Sequence, residues 1–316
     1  DFTQFLTENT RKFDFIVNHG TYSWVSSIHQ EHILKIVNNA LNDSGIFYLH
    51  YMCYPGSSDL LPVQKLLNLV DQHSRVSSIE SIELGKRLFT DLNSAGAFVN
   101  NNKIEALVKT LDQSNTYLAH EFLTDYWQPL YSTDVHKKAF DEAGLSYLGS
   151  ANPCENMEGI SIPEKMQNII KNMPVPALKE YLKDLARDAK QRVDIFQKKP
   201  KGLTGDEHFK ILNDIRFKLL PNSPQKGGIT FKTPIGDIKA PKEVMSPLLE
   251  MLVMQERNFS ELITLPNFKN NPTFLSETIF LLMNAGYLHP ISENKNDLDF
   301  KLKQQFTDLM ANENLN

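Results

Sequence analysis

The sequence predicts an α/β segment at the start of the chain, a mainly α region after it, and a winged-helix-like module at the end. Apolar, strand-like runs at Phe13 to Asn18 and Ile46 to Tyr51 flank one amphipathic helical stretch. From about Ser58 to Pro200, apolar residues recur at helical spacing. Beyond Lys201, a hairpin pattern precedes three helical stretches and a short returning strand. The expected domains are 1–58, 59–200 and 201–316.

In the first region the helix begins near Ile28 and puts Ile33, Ile36, Val37, Ala40 and Leu41 on one face, and Asn42-Asp43-Ser44-Gly45 reads as the turn after it. Strand, helix and strand with short connections predict two neighbouring parallel strands, part of a doubly wound sheet. In the middle region Leu60, Leu61, Leu66, Leu67 and Val70 open the helical pattern, and Leu178, Tyr181, Leu182 and Leu185 recur near its end. Leu145 to Leu148 reads as a short strand, after a helix that Ser132 or Thr133 can cap. In the last region Ile229 to Phe231 and Ile235 to Ile238 form a hairpin around Lys232-Thr233-Pro234. Glu243 to Gln255, Phe259 to Ile263 and Thr273 to Gly286 follow as helices, and Tyr287-Leu288-His289-Pro290 returns as a strand.

With 316 residues and 41% hydrophobic content the chain can build ordinary cores in two or three domains. A net charge of -5 gives no general attraction to nucleic acid or anionic lipid. Cys53 and Cys154 are too few for a disulfide framework and lack the partners of a zinc site, so no metal is expected and a reducing, cytoplasmic setting is. The first residues show no signal-peptide pattern, and no apolar run approaches the roughly 20 residues of a membrane span. The 201–316 segment holds 13 Lys/Arg against 14 Asp/Glu, whereas a DNA-reading module needs a basic face. A protein-binding or packing role suits it better.

Two strand ends draw attention. In FIVNHGTYSW (Phe15 to Trp24) an apolar strand releases Asn18, His19, Tyr22, Ser23 and Trp24 at its carboxyl end, where open α/β sheets place ligand crevices. FYLHYMCYPG (Phe47 to Gly56) repeats the design with His50, Tyr51, Tyr54, Pro55 and Gly56. Two adjacent strands should then end in one aromatic pocket.

These strings resemble a known family, the bacterial class I protein-lysine methyltransferases with a methyltransferase regulatory domain, typified by rickettsial enzymes that modify an outer-membrane protein. FDFIVNHGTYSW (Phe13 to Trp24) is similar to the family's FDYIIxHGVYSW, and LHYMCYPGS (Leu49 to Ser57) to its SYNTYPGW region. YLAHEFL (Tyr117 to Leu123), AGLSYLG (Ala143 to Gly149) and RVDIF (Arg192 to Phe196) follow in the family's order. The resemblance implies a Rossmann-like class I methyltransferase sheet, of which residues 1–58 are the C-terminal part, then a helical regulatory domain. It implies S-adenosyl-L-methionine as cofactor, contacted by Asp1, Phe2, Asn18, His19 and Gly20, and His19, Tyr22, Trp24 and Tyr54 as catalytic residues. The implied partner is a protein substrate presenting lysine side chains, with no nucleic acid and no membrane insertion, and a homodimer is compatible with it. The Gly-rich cofactor turn of complete members does not occur in the chain, so the chain by itself is expected to bind the cofactor poorly. Met52 and Ser57 stand where the family carries asparagine and tryptophan.

Each residue also has a structural reading. Tyr22 and Trp24 suit core packing as well as a site, His19 a satisfied loop histidine, and His50 and Tyr51 the completion of a strand. His120-Glu121 lacks a second histidine at i+4, so it reads as a hydrogen-bonded pair and not a zinc motif. Cys53 has no basic neighbour in the sequence to activate it, and Lys198, Lys199 and Lys201 read as a solvated linker. The rival readings are a non-catalytic interaction protein built on a methyltransferase remnant, and a small-molecule methyltransferase. A direct expectation concerns residues 201–316: duplex DNA should bind them no better than it binds an acidic control protein. Nanomolar, steeply salt-dependent binding in a fluorescence titration contradicts it.

Overall fold

A computed structural model describes residues 2–101 and 103–291. The chain divides into two compact units, Asp1–Lys201 and Gly202–Asn316. In the first unit, helix α1 (Phe2–Glu8) precedes strand β1 (Phe13–Asn18), helix α2 (Ser27–Ala40) and strand β2 (Leu41–Met52). Helices α3 (Leu61–Ser74), α4 (Ser78–Ser94), α5 (Ile104–Leu111) and α6 (Asn115–Phe122) come next. The unit is completed by α7 (Ser132–Ala143), β3 (Leu145–Ser150), α8 (Glu158–Ser161), α9 (Glu164–Lys171), α10 (Pro176–Arg187) and β4 (Gln191–Lys198).

The four strands form one sheet in the order β1-β2-β4-β3. β1 and β2 are parallel, as the strand, helix and strand pattern predicts, while β4 runs antiparallel to both β2 and β3. Two expectations change here. The region from 59 to 200 contributes two strands and not one, and both complete the sheet that the first region begins. The expected turn at Asn42 to Gly45 lies inside β2: Leu41 pairs with Phe13 and Ile46 with Phe15, so these residues bulge opposite Asp14, with Ser44 at φ 63°. Turn-forming residues serve the bulge as well as they would a loop.

Helices α2 and α7 cover one face of the sheet. Ile33, Leu34 and Val37 from α2 and Val135, Ala139 and Ala143 from α7 enclose Phe47, Leu49, Tyr51 and Phe196. Removing each large side chain from water contributes about 1.5–3 kcal/mol. The stretch between β2 and α7 builds its own core from α3–α6, with Leu67, Ile82, Phe89, Leu118, Phe122 and Trp127 at its centre and Trp24 and Met52 packed against it. Ser132 does not cap α7: it is the first helical residue, Tyr131 precedes it, and its hydroxyl donates to Asp184.

The second unit contains α11 (Gly205–Asp214), β5 (Arg216–Leu219), the hairpin β6 (Ile229–Thr233) and β7 (Gly236–Ala240), α12 (Lys242–Met254), β8 (Arg257–Asn258), α13 (Phe259–Leu262), α14 (Pro272–Asn284) and β9 (Leu288–Ile291). β5 lies between β8 and β9 in a three-stranded sheet, and the hairpin forms a separate pair. Every element expected from residue 229 to 290 is present within two residues.

Gly56 of the Tyr54-Pro55-Gly56 string explains itself here. Its N–H donates to Ala189 O at 2.9 Å, and a Cβ at this position would lie 2.2 Å from the Asp188 carbonyl oxygen. Gly56→Ala should therefore cost about 3 kcal/mol in a urea unfolding experiment. Gly20→Ala, with open space around it but φ at +67°, should cost about 1 kcal/mol. Equal midpoints for the two variants contradict the close approach.

Candidate functional site

Side chains alternate across β2, so Phe47, Leu49, Tyr51 and Cys53 enter the core under α2 and α7 while Tyr48, His50 and Met52 take the other face. The loop after β1 crosses this second face. Gly20, at φ +67°, donates its N–H to His50 Nδ1 at 3.1 Å. That bond makes Nδ1 an acceptor, so the neutral His50 ring carries its proton on Nε2 and donates to Gln191 Oε1 at 3.0 Å. His19 stacks on His50 with centroids 4.6 Å apart, and its Nδ1 is 3.1 Å from the Tyr48 hydroxyl. Trp24 lies over the same His50 ring at 6.5 Å. Its indole N–H donates to the Glu121 carbonyl at 3.0 Å, which ties the loop to α6. Burial pushes the Glu121 carboxyl up, and His120 and His50 partly offset that.

The two strand ends thus meet at two places, one on each face, and not in a single aromatic pocket. His19 and Trp24 belong to the His50 face, whereas Tyr22 is 1% exposed and packs in the core on the opposite face. Gln30 Nε2 donates to the Tyr22 carbonyl at 2.8 Å. Burial first, then Glu142 and Glu31, push the Tyr22 phenol well above its ordinary range, so it stays neutral. Tyr54 shares a crevice with Tyr22, and Tyr51 is fully buried with its hydroxyl donating to Asp194 at 2.6 Å. Ser57, where the family carries tryptophan, is buried and donates to the Lys190 carbonyl.

Of the expected cofactor contacts, Phe2 and Asn18 come together. With Phe5, Ile16, Ile36 and Phe47 they line a pocket of about 330 Å³ between α1, β1 and α2. Asn18 Oδ1 is a buried acceptor with no hydrogen-bond partner among the described residues. His19 and Gly20 continue the chain from Asn18 but do not line that pocket, and Asp1 lies outside the described residues. Among the described residues no group of three or more His, Cys, Asp or Glu side chains could hold a metal ion. No helix among them is long and apolar enough to cross a membrane. Cys53 and Cys154 are buried and form no disulfide with each other, and burial pushes the Cys154 thiol up to about 11.

Two residues of the RVDIF string matter more than their motif suggested. Arg192 Nε donates to Asp194 Oδ1 at 3.0 Å, and its other nitrogens reach Asp184, Glu180 and the Tyr147 hydroxyl. His136 Nε2 lies 2.8 Å from Asp194 Oδ2. Arginine and aspartate two apart in an apolar strand share one face, and this was the available signal of a buried pair. Burial alone would raise the Asp194 carboxyl, but the Arg192 guanidinium, with bonds from His136 and Tyr51, holds it below the usual carboxylate range. At Asp184 burial wins and the carboxyl is raised despite Arg192 and Ser132. A carboxylate depressed in the folded state lends stability above its unfolded pKa of about 3.9 and loses it as pH falls through the lower folded value. Asp184 acts with the opposite sign. Asp194→Asn should cost about 3–5 kcal/mol at neutral pH and flatten the acid dependence of stability below about pH 4. A variant with the wild-type denaturation midpoint contradicts this charge-paired core.

Residues 114–198 match the family described as "Predicted methyltransferase regulatory domain". An uncharacterized protein of Synechocystis is 27% identical over 314 residues, covering 97% of this chain and 60% of the relative. An uncharacterized protein of Rickettsia prowazekii is 32% identical over 140 residues, 42% of this chain and 55% of the relative. The chain thus spans 60% or less of the length of these curated relatives. Among solved structures, PKMT2 from Rickettsia typhi superposes with a TM-score of 0.62 at 22% identity, over 90% of this chain and 59% of that one. PKMT2 in complex with AdoHcy superposes at 0.63 and 21% identity, over 90% of this chain and 60% of that one. Residues 114–198 are thus similar to a predicted methyltransferase regulatory domain, and the chain has a fold like that of rickettsial PKMT2.

Proposed function

We propose that the protein takes part in S-adenosylmethionine-dependent methyl transfer to lysine side chains of a protein substrate. The observation that carries this reading is the Asn18-His19-Gly20 turn at the carboxyl end of β1, with an apolar pocket on one side and the His19, His50 and Trp24 stack on the other. The family match over residues 114–198 supports methyl transfer, and the AdoHcy complex of the structurally similar PKMT2 supports the cofactor. Lysine as acceptor follows from the motif resemblance alone.

The pocket beside Asn18 fits an adenine ring in kind: its walls are apolar, and the Asn18 amide oxygen is an acceptor in want of a donor. Phe2, Ile16 and Asn18 would hold that end of the cofactor. Bound S-adenosylmethionine supplies an electrophilic sulfonium methyl. The chain's own residues position the acceptor: Trp24, fixed through Glu121, and His19, fixed through Tyr48, present ring faces that favour cationic groups nearby. The attacking lysine must be neutral, and its removal from water lowers its pKa, against the pull of the ring faces. In the tautomer whose Nδ1–H donates to the Tyr48 hydroxyl oxygen, the His19 Nε2 is the acceptor that takes the proton the amine releases. Alignment of amine and methyl can supply on the order of 7–11 kcal/mol of the barrier lowering.

The second unit fits the same reading as a winged-helix-like, protein-facing module. Helix α12, short strand β8, helices α13 and α14 and strand β9 follow in the order such modules use, and the segment is nearly neutral in charge. The reading places this protein itself in the cytoplasm. His19 gives the clearest test because it is exposed. His19→Ala should leave the denaturation midpoint within about 0.5 kcal/mol of wild type while slowing single-turnover lysine methylation about a hundredfold. Wild-type turnover per folded molecule removes His19 from the site.

A further inference from the structure

The turn that carries Asn18, His19 and Gly20 is tied to β2 by a bond that only a neutral histidine can make. Gly20 donates its N–H to His50 Nδ1 at 3.1 Å, so Nδ1 must keep its lone pair. The ring proton then sits on Nε2 and points at Gln191 Oε1, 3.0 Å away at the start of β4. A backbone N–H cannot accept a hydrogen bond and an amide oxygen cannot donate one, so the two partners cannot trade roles. Gly20 and Gln191 together select one tautomer and one charge state of His50.

Protonation of His50 reverses the Gly20 contact. A proton from water adds to Nδ1, and the imidazolium then carries two N–H donors, one of which faces the Gly20 N–H. Two donors cannot bond, so Gly20, which is exposed, turns its N–H to water. The ring stack acts in the same direction. His19 lies 4.6 Å from His50, and two imidazolium rings at that separation repel. Across from the sheet, Glu121 of α6 is an acidic neighbour of the His50 ring, with His120 beside it. Trp24 and Gln191 complete the surroundings and carry no charge.

We propose that His50 is a proton-operated latch on the Asn18-His19-Gly20 turn, and that Gln191 is the positioning residue that sets its tautomer. The turn is held while the ring is neutral and released when the ring takes a proton. The latch bears on methyl transfer only under the reading proposed for this turn. Its measurement needs no methyl acceptor, so loss of the latch and loss of the reaction are separate results. The test is NMR of the whole chain with isotope-labelled histidine and glycine, for wild type, Gln191→Glu and His50→Asn. Ring nitrogen shifts report the tautomer and charge of His50, and exchange with water reports the protection of the Gly20 amide. His50→Asn and Gly20→Ala identify the two signals. Neutral His50 should carry its proton on Nε2. Gly20 protection, corrected for the intrinsic pH dependence of exchange, should fall about tenfold as the ring takes its second proton. Gln191 is exposed, so Gln191→Glu leaves the core intact while it sets a carboxylate against the Nε2–H. Both events should then move together to higher pH by about one unit. His50→Asn has no titrating ring, and its Gly20 amide should show no step. A neutral His50 protonated on Nδ1, a ring that stays neutral until the chain unfolds, or a Gly20 amide indifferent to the titration overturns the latch. So does Gln191→Glu with both events unmoved, and a step that persists in His50→Asn assigns the pH response to another group and overturns it too.

Discussion

The first unit depends on one buried cation. Arg192 sits on β4, between β2 and β3, and its guanidinium reaches Asp194 on its own strand, Asp184 and Glu180 on α10, and Tyr147 on β3. Asp194 in turn receives Tyr51 of β2 and contacts His136 of α7. A charge taken out of water is tolerated when every neighbour is in place, so this cluster fixes β2, β3, β4, α7 and α10 together. Replacing one member leaves the others buried and unpaired, which is why such clusters favour a single packing over alternatives.

That constraint reaches the candidate site through the end of β2. The Cys53 N–H donates to Lys190 O and the Gly56 N–H to Ala189 O, so the chain just before β4 holds the chain just after β2. Ser23 accepts the Met52 N–H at 2.9 Å, and the Gln128 N–H donates to the Ser23 carbonyl. The loop after β1 is therefore held between the sheet and the α3–α6 helices. Its sequence alternates accordingly: Tyr22 enters the sheet core, Ser23 joins the strand end, and Trp24 packs on the helical core. The same anchors hold the loop that carries His19.

Much of this was legible locally. β1, α2 and the parallel pairing with β2 follow from apolar patterns and short connections, and in the second unit turn residues and helical spacing place the elements from 229 to 290 other than the two-residue strand β8. What local pattern could not supply is non-local pairing. β4 joins the sheet more than 130 residues after β2, and nothing in its sequence names its neighbours. The division of Tyr22 from Trp24 likewise depends on which core each meets. α10 shows the limit of periodicity most plainly, since it buries Asp184 toward Arg192 and leaves Leu178 and Leu185 largely exposed. His50 was read as strand ending, yet its ring is the surface on which His19 and Trp24 stack, and only the Gly20 contact reveals that.

Whether the turn after β1 is where the cofactor meets this protein is most directly tested by hydrogen exchange with and without S-adenosylhomocysteine. Protection concentrated at residues 16–20, with smaller changes around His50 and Trp24, is the expected result. Ligand-dependent protection confined to the second unit, or binding that leaves residues 16–20 unchanged, contradicts the site.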